Sequence, residues 1–374
     1  MISRRQSLLA SSAWVGGLAA LPACSPTTGA SYEQAQRQTW RPAESKPADR
    51  SALMQELVRC ATLAPSSHNT QCWKFHIGER EIDVLPDLSR RCPAVDPDDH
   101  HLFVSLGCTT ENLVQAARAY GLNGEARFDA GADVGSEGAV RVALAPTAAV
   151  ASALFQAIPR RQCTRTEFDG QPVSPADLDL LRQAGTGRGV RMLLITDKAA
   201  MENVLAHVVQ ANTVQMNDAA FVEELKSWIR FGDDEAVATR DGLFSRTTGN
   251  PSVPRWLGSP MFKLFFREKS ENDKYARHIR SSSGIAVFVP EDDVVSDKAH
   301  WIETGRCYQR FALQATALGI RHAHLNQAVE VAALRPQFAA SIGLANLRPD
   351  LVLRFGRGPG MPRSLRRPVQ AVLV

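Results

Sequence analysis

The chain has 374 residues, of which 44% are hydrophobic, so it can bury a large core and has room for two lobes. Its 43 basic and 39 acidic residues nearly balance, leaving a net charge of +4 that does not indicate a nucleic-acid partner. The seven cysteines are scattered, without a CxxC pair or a zinc-ligand spacing. Six of them could form three disulfides, or could be buried as thiols.

The N-terminal residues have the pattern of an export signal. Arg4 and Arg5 precede an apolar stretch that runs to Ala23, followed by small residues. The paired arginines, with leucines shortly after them, resemble a twin-arginine signal, and a general secretory signal is the alternative. We therefore predict a signal peptide over residues 1–24 and a periplasmic protein. Because the twin-arginine route exports proteins already folded in a reducing compartment, it favours thiols over disulfides.

The end of this signal allows two interpretations. Leu21-Pro22-Ala23-Cys24 resembles a lipobox, in which Cys24 would be lipidated and anchor the protein to a membrane. Pro22 is atypical of such a box, so ordinary cleavage stays an equal alternative. Residues 25–50 are polar and lack apolar periodicity, and we predict a linker there.

From residue 51 onward, helical and strand patterns interleave without βαβ regularity. Hairpin-like pairs of strands favour an α+β fold, and no glycine-rich Rossmann or P-loop fingerprint is present. The predicted helices are Ser51–Leu63, His100–Tyr120, Pro175–Ala184, Ala199–Gln215, Lys298–Leu318 and Val329–Ile342. The predicted strands are Trp73–Ile77, Ile82–Leu85, Val140–Ala145, Val190–Thr196, Ile285–Val289 and Leu351–Phe355.

Two pairs of segments in this region resemble each other. Gly107–Leu122 and Gly305–Ile320 share helical apolar spacing and an Ala-x-Ala-x-Gly-aliphatic ending, at an offset of 198 residues. Leu57–Ala61 and Leu180–Ala184 match at an offset of 123 residues. If both pairs are real, the second copy carries 75 additional residues between its two matched segments.

We place the additional residues at about 223–278, a polar and aromatic segment punctuated by glycine and proline. An insertion of this size and composition is expected to form a lid, and a peripheral pair of helices is the alternative. Its aromatic residues Phe231, Phe244 and Trp256 could cover the face of a planar ligand.

The most specific segment is the turn Ala64–Phe75, between a predicted helix and a predicted strand. Its hydroxyl, amide and backbone N–H groups can bind an anion or the polar edge of a heterocycle. It resembles the nitroreductase superfamily pattern Ala-Pro-Ser-x-x-Asn-x-Gln-Pro-Trp, with Cys72 in place of the second proline. The resemblance implies that FMN is bound by Pro65, Ser66, Ser67 and Asn69.

A second segment, Pro159–Phe168, resembles the Arg-Arg-Ser-x-Arg-x-Phe start of the same superfamily. Guanidinium groups bind a phosphate dianion bidentately, and the resemblance places Arg161 on the FMN phosphate. It places Arg165 at the flavin N1/O2 edge, where a cation stabilises the charge that builds on reduction. Taken alone, the segment would be better explained as an exposed basic turn. The predicted FMN-binding residues here are Arg160, Arg161, Gln162, Cys163 and Arg165, with Gln162 and Cys163 departing from the family pattern.

The distribution of these motifs indicates a fused pseudo-dimer. In ordinary nitroreductases each flavin is shared between the arginine segment of one subunit and the Pro-Ser-Ser segment of the other. Here the first copy keeps only the Pro-Ser-Ser segment, and the second copy keeps only the arginines, with Gly185-Thr186-Gly187 after its matching helix. The chain thus resembles the Acg-type branch of the superfamily. The resemblance implies one site across two fused lobes, residues 51–150 and 151–374, with a lid.

Two later stretches match the same site. The superfamily has a loop after the second matched helix whose backbone N–H meets flavin N5, and by position Asn326 would supply it. The basic C-terminal tail of the family closes on the phosphate. The predicted FMN-binding residues of these stretches are Leu325, Asn326, Gln327, Arg363 and Arg366.

Three other patterns are better explained by structural roles than by metal binding or catalysis. His322 and His324 offer two ligands on one strand, too few for a metal site. Asp98-Asp99-His100-His101 precedes a helix, where acidic residues serve as caps and dipole partners. Ser281-Ser282-Ser283-Gly284 lacks the nucleophile-elbow pattern of a serine hydrolase. We therefore expect neither a metal nor a protein nucleophile.

These expectations lead to two hypotheses of function. The first is an exported FMN-dependent oxidoreductase that reduces a small planar acceptor such as a quinone or a nitroaromatic. The second is a protein that sequesters FMN behind its lid with little catalysis, since fold and cofactor do not fix activity. The electron donor is unknown, because soluble NAD(P)H is not expected outside the cytoplasm. We expect a monomer or a weak dimer.

Overall fold

The computed structural model describes residues 31–44, 47–131, 137–291, 295 and 297–374, with the backbone alone at Lys263. The predicted signal peptide, with Cys24, lies outside the described residues. Helices and antiparallel sheets mix along the chain, which confirms the α+β class. The helices are α1 (Tyr32–Thr39), α2 (Arg50–Thr62), α3 (His100–Ala119), α4 (Ala153–Ala157), α5 (Pro175–Gly185), α6 (Lys198–Met216), α7 (Ala219–Trp228), α8 (Asp233–Thr239), α9 (Arg255–Phe265), α10 (Glu268–Arg280), α11 (Lys298–Ala317), α12 (Gln327–Glu330) and α13 (Arg335–Ser341). The strands are β1 (Trp73–Ile77), β2 (Glu81–Pro86), β3 (Leu122–Asp129), β4 (Ala139–Pro146), β5 (Val190–Ile195), β6 (Ile229–Arg230), β7 (Leu243–Phe244), β8 (Gly284–Pro290), β9 (Arg321–His324) and β10 (Leu351–Gly356).

Two four-stranded antiparallel sheets are built in the same order. The first runs β1-β2-β4-β3 and the second runs β5-β8-β10-β9, so each places its fourth strand between the second and the third. A helix precedes each sheet, α2 before β1 and α5 before β5, and a 20-residue helix connects the second strand to the third, α3 in one sheet and α11 in the other. The four segments matched in the sequence therefore lie on helices at equivalent positions.

The helices α3 and α11 pack directly against each other at two glycines. A Cβ atom on Gly107 would lie 1.9 Å from the Ile302 carbonyl oxygen, and one on Gly305 would lie 1.9 Å from that of Val104. This close approach requires glycine on both helices. These two glycines are aligned with each other in the sequence repeat, so the equivalent positions of the two copies meet at the helix crossing.

The core extends through both sheets. One hydrophobic cluster joins Phe75 and Val84 of the first sheet to Phe288 and Phe355 of the second through α3 and α11. A second cluster covers the other face of the second sheet with α6, α12 and α13. Because both faces of the second sheet are covered, β8 and β10 are buried along their full lengths, and their sequences are almost continuously apolar.

The two sheets differ most between their first and second strands. Three residues connect β1 to β2, whereas 88 residues separate β5 from β8. We call residues 196–283 the insertion; it contains α6 to α10 and the two-residue strands β6 and β7. The predicted range 223–278 lies within it.

Two local predictions are wrong. The predicted linker contains α1, which is capped by Ser31 and buries Tyr32 and Ala35 against the insertion. Its sequence is otherwise polar, so only tertiary contacts reveal the burial. The predicted helix Val329–Ile342 is broken into α12 and α13. Pro336 lies in the first turn of α13, where its missing N–H is tolerated and where it disfavours a continuous helix.

Two further observations concern the described residues as a whole. The six cysteines in this part of the chain are unpaired, five of them buried and Cys163 half-buried. In the same residues, no helix is both long enough and apolar enough to cross a membrane.

Candidate functional site

The predicted site residues line two adjoining cavities. The large cavity has a volume of about 600 Å³ and lies between the turn after α2, the loop after β9, and the insertion. The small cavity, of about 60 Å³, lies between the same turn, the segment after α4 and the C-terminal tail. Pro65, Ser66, Arg165 and Leu243 line both cavities, so the two are adjacent.

Thirteen of the 14 predicted FMN-binding residues line one or both cavities. The exception is Arg160, which is exposed and donates from Nε to the Gln156 carbonyl, 3.2 Å away. The large cavity is lined by Pro65, Ser66, Ser67, Arg165, Leu325, Asn326 and Gln327. The small cavity is lined by Pro65, Ser66, Asn69, Arg161, Gln162, Cys163, Arg165, Arg363 and Arg366.

Three arginines converge on the small cavity without a carboxylate partner in the described chain. Arg161 is only 2% exposed and donates one hydrogen bond, from Nη2 to the Leu63 carbonyl, 3.1 Å away. Its Nε and Nη1 atoms are buried with no acceptor among the described residues. Arg366 donates to the carbonyls of Thr62 and Ala64, whereas Arg363 donates to those of Pro159 and Arg160.

The electrostatics of these arginines favour an anion. Burial, together with the neighbouring positive charge of Arg161, lowers the pKa of Arg363 to about 10 and that of Arg366 well below its ordinary value. Buried cations without a counter-ion cost free energy, and bound phosphate oxygens would satisfy the free N–H groups of Arg161. The donor set of the small cavity therefore fits a phosphate group.

Trp40 completes the small cavity, and the sequence interpretation missed it. The guanidinium carbons of Arg363 and Arg366 each lie 5.0 Å from its ring centroid. Its indole N–H donates to the Ser364 carbonyl, 3.0 Å away. The clustering of Trp40 with the tail depends on a contact more than 320 residues distant in sequence, which no local pattern signals.

The turn after α2 is held in an uncommon conformation. The helix is capped by Asp49 and ends just before Pro65, as the restriction on residues preceding proline favours. His68, Asn69 and Gln71 then adopt left-handed φ values of 47°, 54° and 54°. Each such non-glycine residue costs on the order of 1 kcal/mol, so the surrounding contacts must hold the turn in place.

Those contacts come from the insertion and the tail. The Asn69 side-chain amide donates to the carbonyls of Gly242 (3.0 Å) and Leu365 (3.2 Å), and the Gly242 N–H donates to the Asn69 carbonyl (3.1 Å). The Asn69 Oδ1 atom is buried without a donor in the described residues. Gln71 donates to the Arg240 carbonyl and accepts from the Arg367 N–H. The insertion is thus hydrogen-bonded directly to the turn.

Arg165 lies where the two cavities meet. It is half-buried, and no hydrogen bond or ion pair of its guanidinium is found in the residues that the structure describes. Burial, and then the positive charge of Arg165, lower the pKa of His68 to about 4, so that this imidazole is neutral at pH 7. A free cation beside a neutral histidine can bind a group that becomes negative.

Asn326 and Gln162 line the cavities and also form hydrogen bonds that hold neighbouring segments in place. Asn326 accepts the Val352 N–H on Oδ1 at 3.0 Å, which fixes the loop after β9, and its Nδ2 atom lies 3.5 Å from His101 Nε2. Its backbone N–H donates to no acceptor within the described chain. Gln162 accepts the Met361 N–H at 3.0 Å and donates to the Pro362 carbonyl at 3.1 Å. Gln162 therefore positions the tail beside the arginines.

The insertion supplies a large share of the wall of the large cavity. Phe231 lines it, whereas Phe244 is buried against Tyr32 of α1 and lines neither cavity. Trp256 is 76% exposed and also lines neither cavity. The expectation that all three aromatic residues cover a planar ligand is therefore wrong for Phe244 and Trp256. The phenylalanines of α9, Phe262 and Phe265, line the large cavity instead.

Further polar groups lie on one side of the large cavity, and the sequence interpretation missed Gln215, Tyr275 and Glu330 among them. Gln215 donates to the Glu330 carboxylate at 2.8 Å, and Gln327 donates to the Tyr275 hydroxyl. Burial raises the pKa of Glu330 to about 7. Burial likewise lowers the pKa of His324 to about 3, so that it is neutral. These side chains come from three different helices and a strand, so the chain order gives no sign of their proximity.

The acidic and histidine residues before α3 differ in part from expectation. Asp98 and Asp99 do not cap the helix; they pair with Arg348 and Arg91, each at 2.7 Å. Asp96 instead accepts the N–H groups of His101 (3.0 Å) and Leu102 (2.9 Å), so the capping carboxylate lies earlier in the chain.

Two groups of side chains in the described residues have ligand atoms close enough for a metal ion. They are Asp96 with His100 and His101, and His68 with Cys92 and Glu224. At least one member of each group has partners outside it. His100 contacts Asp350 at 3.2 Å, and Glu224 accepts the N–H groups of Ala94 and Val95.

Comparison with known proteins gives relatives in sequence, although no family model matches the chain. "Putative NAD(P)H nitroreductase Rv3131" from Mycobacterium tuberculosis is 26% identical over 326 residues, covering 85% of this chain and 90% of the relative. "Putative NAD(P)H nitroreductase acg" from the same species is 23% identical over 334 residues, covering 86% and 95%.

Solved structures give weaker similarities. The FMN-dependent nitroreductase NfnB from Mycobacterium smegmatis, in complex with NADPH, is 13% identical and has a TM-score of 0.35, covering 55% of this chain and 87% of that one. A nitroreductase with bound FMN from Desulfitobacterium hafniense is 13% identical and has a TM-score of 0.36, covering 56% and 90%. TM-scores this low establish nothing by themselves. The relatives in sequence, similar over nearly their whole lengths, support placing this chain in the nitroreductase-like superfamily.

Proposed function

We propose that this protein is an exported FMN-dependent oxidoreductase that binds one FMN per chain and reduces a small planar acceptor such as a quinone or a nitroaromatic. The observation that carries the proposal is the arginine cluster of the small cavity, which adjoins a larger cavity at Arg165. A phosphate in the small cavity would leave the attached ring system in the large one. Both superfamily motifs, far apart in sequence, line this junction.

Four residues of the two cavities have roles in this arrangement. Arg161 would hold the phosphate with its free N–H groups, and Trp40 would shield it from water. Arg165 would face the N1/O2 edge, and the Asn326 N–H would face N5. When bound, FMN supplies hydride or electron transfer. The protein contributes orientation, a cation that stabilises the reduced ring, and exclusion of water.

The proposal includes the origin of the chain as two fused lobes, residues 51–150 and 151–374. Its support is the identical strand order of the two sheets and the meeting of Gly107 with Gly305. Export by the twin-arginine route rests on the sequence alone. Replacement of Arg4 and Arg5 by lysine should keep the protein in the cytoplasm, and unchanged export would favour a general secretory signal. Lipid labelling that disappears in Cys24→Ala would establish an anchor.

The test of cofactor and activity combines two measurements. Flavin released from a known amount of purified protein should approach one FMN per chain, and two would contradict a single surviving site. Anaerobic addition of NAD(P)H or a quinol analogue should then bleach the flavin absorbance with one of the two donors. Subsequent addition of a quinone or a nitroaromatic should restore the absorbance. A flavoprotein that neither donor reduces, and that no acceptor reoxidises after chemical reduction, would not be this enzyme.

One observation favours the second candidate function, FMN storage. The insertion is hydrogen-bonded to Asn69 and anchored by the buried Phe244, so it is attached more firmly than a freely opening lid requires. Storage predicts slow FMN release and slow reaction of reduced flavin with any acceptor. Rapid turnover by the intact protein would eliminate this alternative.

A further inference from the structure

The helix α9 combines a cavity wall with an exposed apolar face. Gly258, Met261 and Phe262 line the large cavity, and Gly258 packs so tightly that a Cβ there would lie 2.5 Å from the Phe231 ring. On the other side, Trp256 is 76% exposed and Leu264 is 55% exposed. Their spacing of eight residues places them on one stripe of the helix.

This face is unusual within the molecule. Nine large hydrophobic side chains are exposed in the described residues, and four of them belong to this single helix of 11 residues. Isolated exposed hydrophobic residues are normal, but four on one short helix, tryptophan and phenylalanine among them, indicate an interaction site. The four are Trp256, Leu257, Leu264 and Phe265.

The charges around this face determine which partner it fits. Residues 255–267 contain Arg255, Lys263 and Arg267 and no acidic residue. Arg255 pairs with Glu235 at 2.6 Å, whereas Arg267 is exposed and has no ion pair among the described residues. The nearest acidic residue after the helix, Glu268, accepts from the Thr213 hydroxyl. An amphipathic helix with tryptophan, phenylalanine, leucine and flanking cations is suited to the surface of an anionic lipid bilayer.

We propose that α9 docks onto an anionic lipid bilayer and holds the large cavity at the lipid surface. Phe265 connects the two features, because it lines the large cavity and is also 63% exposed. The cavity therefore reaches the surface at the docking face, where molecules dissolved in lipid can enter. The docking does not depend on the proposed function. Only the further point, that the acceptor or donor is lipid-soluble, rests on it.

The test measures binding to vesicles. The compact unit Ser31–Val374 contains every core cluster of the described residues and lacks the hydrophobic N-terminal stretch, which would bind lipid itself. This unit should sediment with vesicles of mixed phosphatidylglycerol and phosphatidylcholine. It should sediment much less with phosphatidylcholine alone. The readout does not involve flavin, so it succeeds or fails independently of the proposed function.

Matched variants identify the surface. Trp256→Ser combined with Leu264→Ser should weaken binding by about tenfold or more, because apolar burial in the interface is lost. Leu180→Ser combined with Val214→Ser removes two other exposed hydrophobic residues, 42% and 46% exposed, and should leave binding unchanged. Unchanged thermal midpoints would show that both variants are folded.

Three outcomes would overturn the proposal. The unit could fail to sediment with either kind of vesicle. The control variant could lose as much binding as the α9 variant. Light scattering could instead reveal a concentration-dependent dimer that the α9 variant abolishes without vesicle binding, which would make this face a self-association surface.

Discussion

The turn after α2 and the turn after α5 occupy equivalent places before the first strand of each sheet, yet only the first lines the two cavities. The first turn opens onto both cavities through Pro65 and Ser66. The second turn is short and closed by two hydrogen bonds between Gly187 and Val190. A Cβ on Gly187 would lie 2.5 Å from Cys307 Sγ and 2.8 Å from Glu303 Oε1 of α11, so the space beside it is filled.

The long helices explain the difference. At the repeat offset of 198 residues, Ser105 of α3 corresponds to Glu303 of α11. Ser105 lines the large cavity, whereas Glu303 pairs with Arg306 at 3.0 Å and with Arg310 at 3.4 Å. A small polar side chain leaves room for a ligand, and a network of long charged ones occupies that room. Two copies of one topology can thus keep a site in one place and fill it in the other.

The largest expected effect tests whether Gly107 and Gly305, which are aligned in the sequence repeat, are equally necessary for the packing of α3 against α11. Gly107→Ala and Gly305→Ala should each destabilise the protein by roughly 3 kcal/mol or more, since each Cβ would clash with a carbonyl of the facing helix. Chemical denaturation would measure this loss. Gly131→Ala is the control, because its Cβ would lie 3.9 Å from the nearest atom. A large loss at only one helical glycine would contradict the equivalence of the two positions.

The second prediction separates two neighbouring arginines of the surviving site. Arg161→Met should weaken FMN binding by roughly 2 kcal/mol, or about 30-fold, because the charged hydrogen bonds to phosphate are lost. The same variant should not destabilise the protein without FMN, since it removes a buried cation whose Nε and Nη1 groups lack acceptors in the described residues. Arg160→Met, at an exposed position, should change FMN affinity less than twofold. Fluorescence titration of FMN would measure both, and equal losses would show that Arg161 has no special role.

The third prediction compares Glu330, which lines the large cavity, with Glu303, which fills the space beside the turn after α5. The pKa of Glu330 is raised to about 7 by burial, so the folded protein holds a proton that the unfolded chain releases near pH 4.5. The contribution of Glu330 to stability should therefore fall by about 3 kcal/mol as pH rises from about 4.5 to 7, and stay constant above that range. Glu330→Gln removes this contribution, so the stability of the variant relative to the parent should rise over that pH range and exceed that of the parent at pH 8.

Glu303→Gln should act in the opposite direction. It weakens a half-buried network with Arg306 and Arg310, so stability at pH 8 should fall by up to about 1 kcal/mol. Urea denaturation at a series of pH values would measure both variants. A Glu330→Gln variant as pH-dependent as the parent would mean that this carboxyl group is ionised throughout.

The smallest effect concerns the hydrogen bonds that hold the open turn. Asn69→Ala removes two of them, to the Gly242 and Leu365 carbonyls, and should cost about 1 to 2 kcal/mol. Hydrogen exchange should then rise around Gly242 in the insertion. Thr186→Ala in the closed turn removes one exposed hydrogen bond, to the Arg182 carbonyl, and should cost less than about half as much. Unchanged exchange near Gly242 would show that Asn69 does not hold the insertion.

Local patterns in the sequence determined much of this protein. Alternation and apolar runs located β1 to the residue and the inner strands of both sheets to within one or two residues. They missed β3 as a strand, since Gly124 and alternating exposed residues on an edge strand give a weak pattern. The two superfamily motifs identified residues that line the cavities, because ligand-binding turns need particular residue types at fixed spacing.

Only the tertiary structure decided how these parts act together. It brought Trp40 from the predicted linker to Arg363 and Arg366, and it separated Phe244 and Trp256 from the cavity that they were expected to cover. It also placed Gly107 against Gly305 and filled the second turn with charged side chains of α11. The physical reason is that burial and pairing depend on contacts between distant segments, which residue spacing along the chain does not encode.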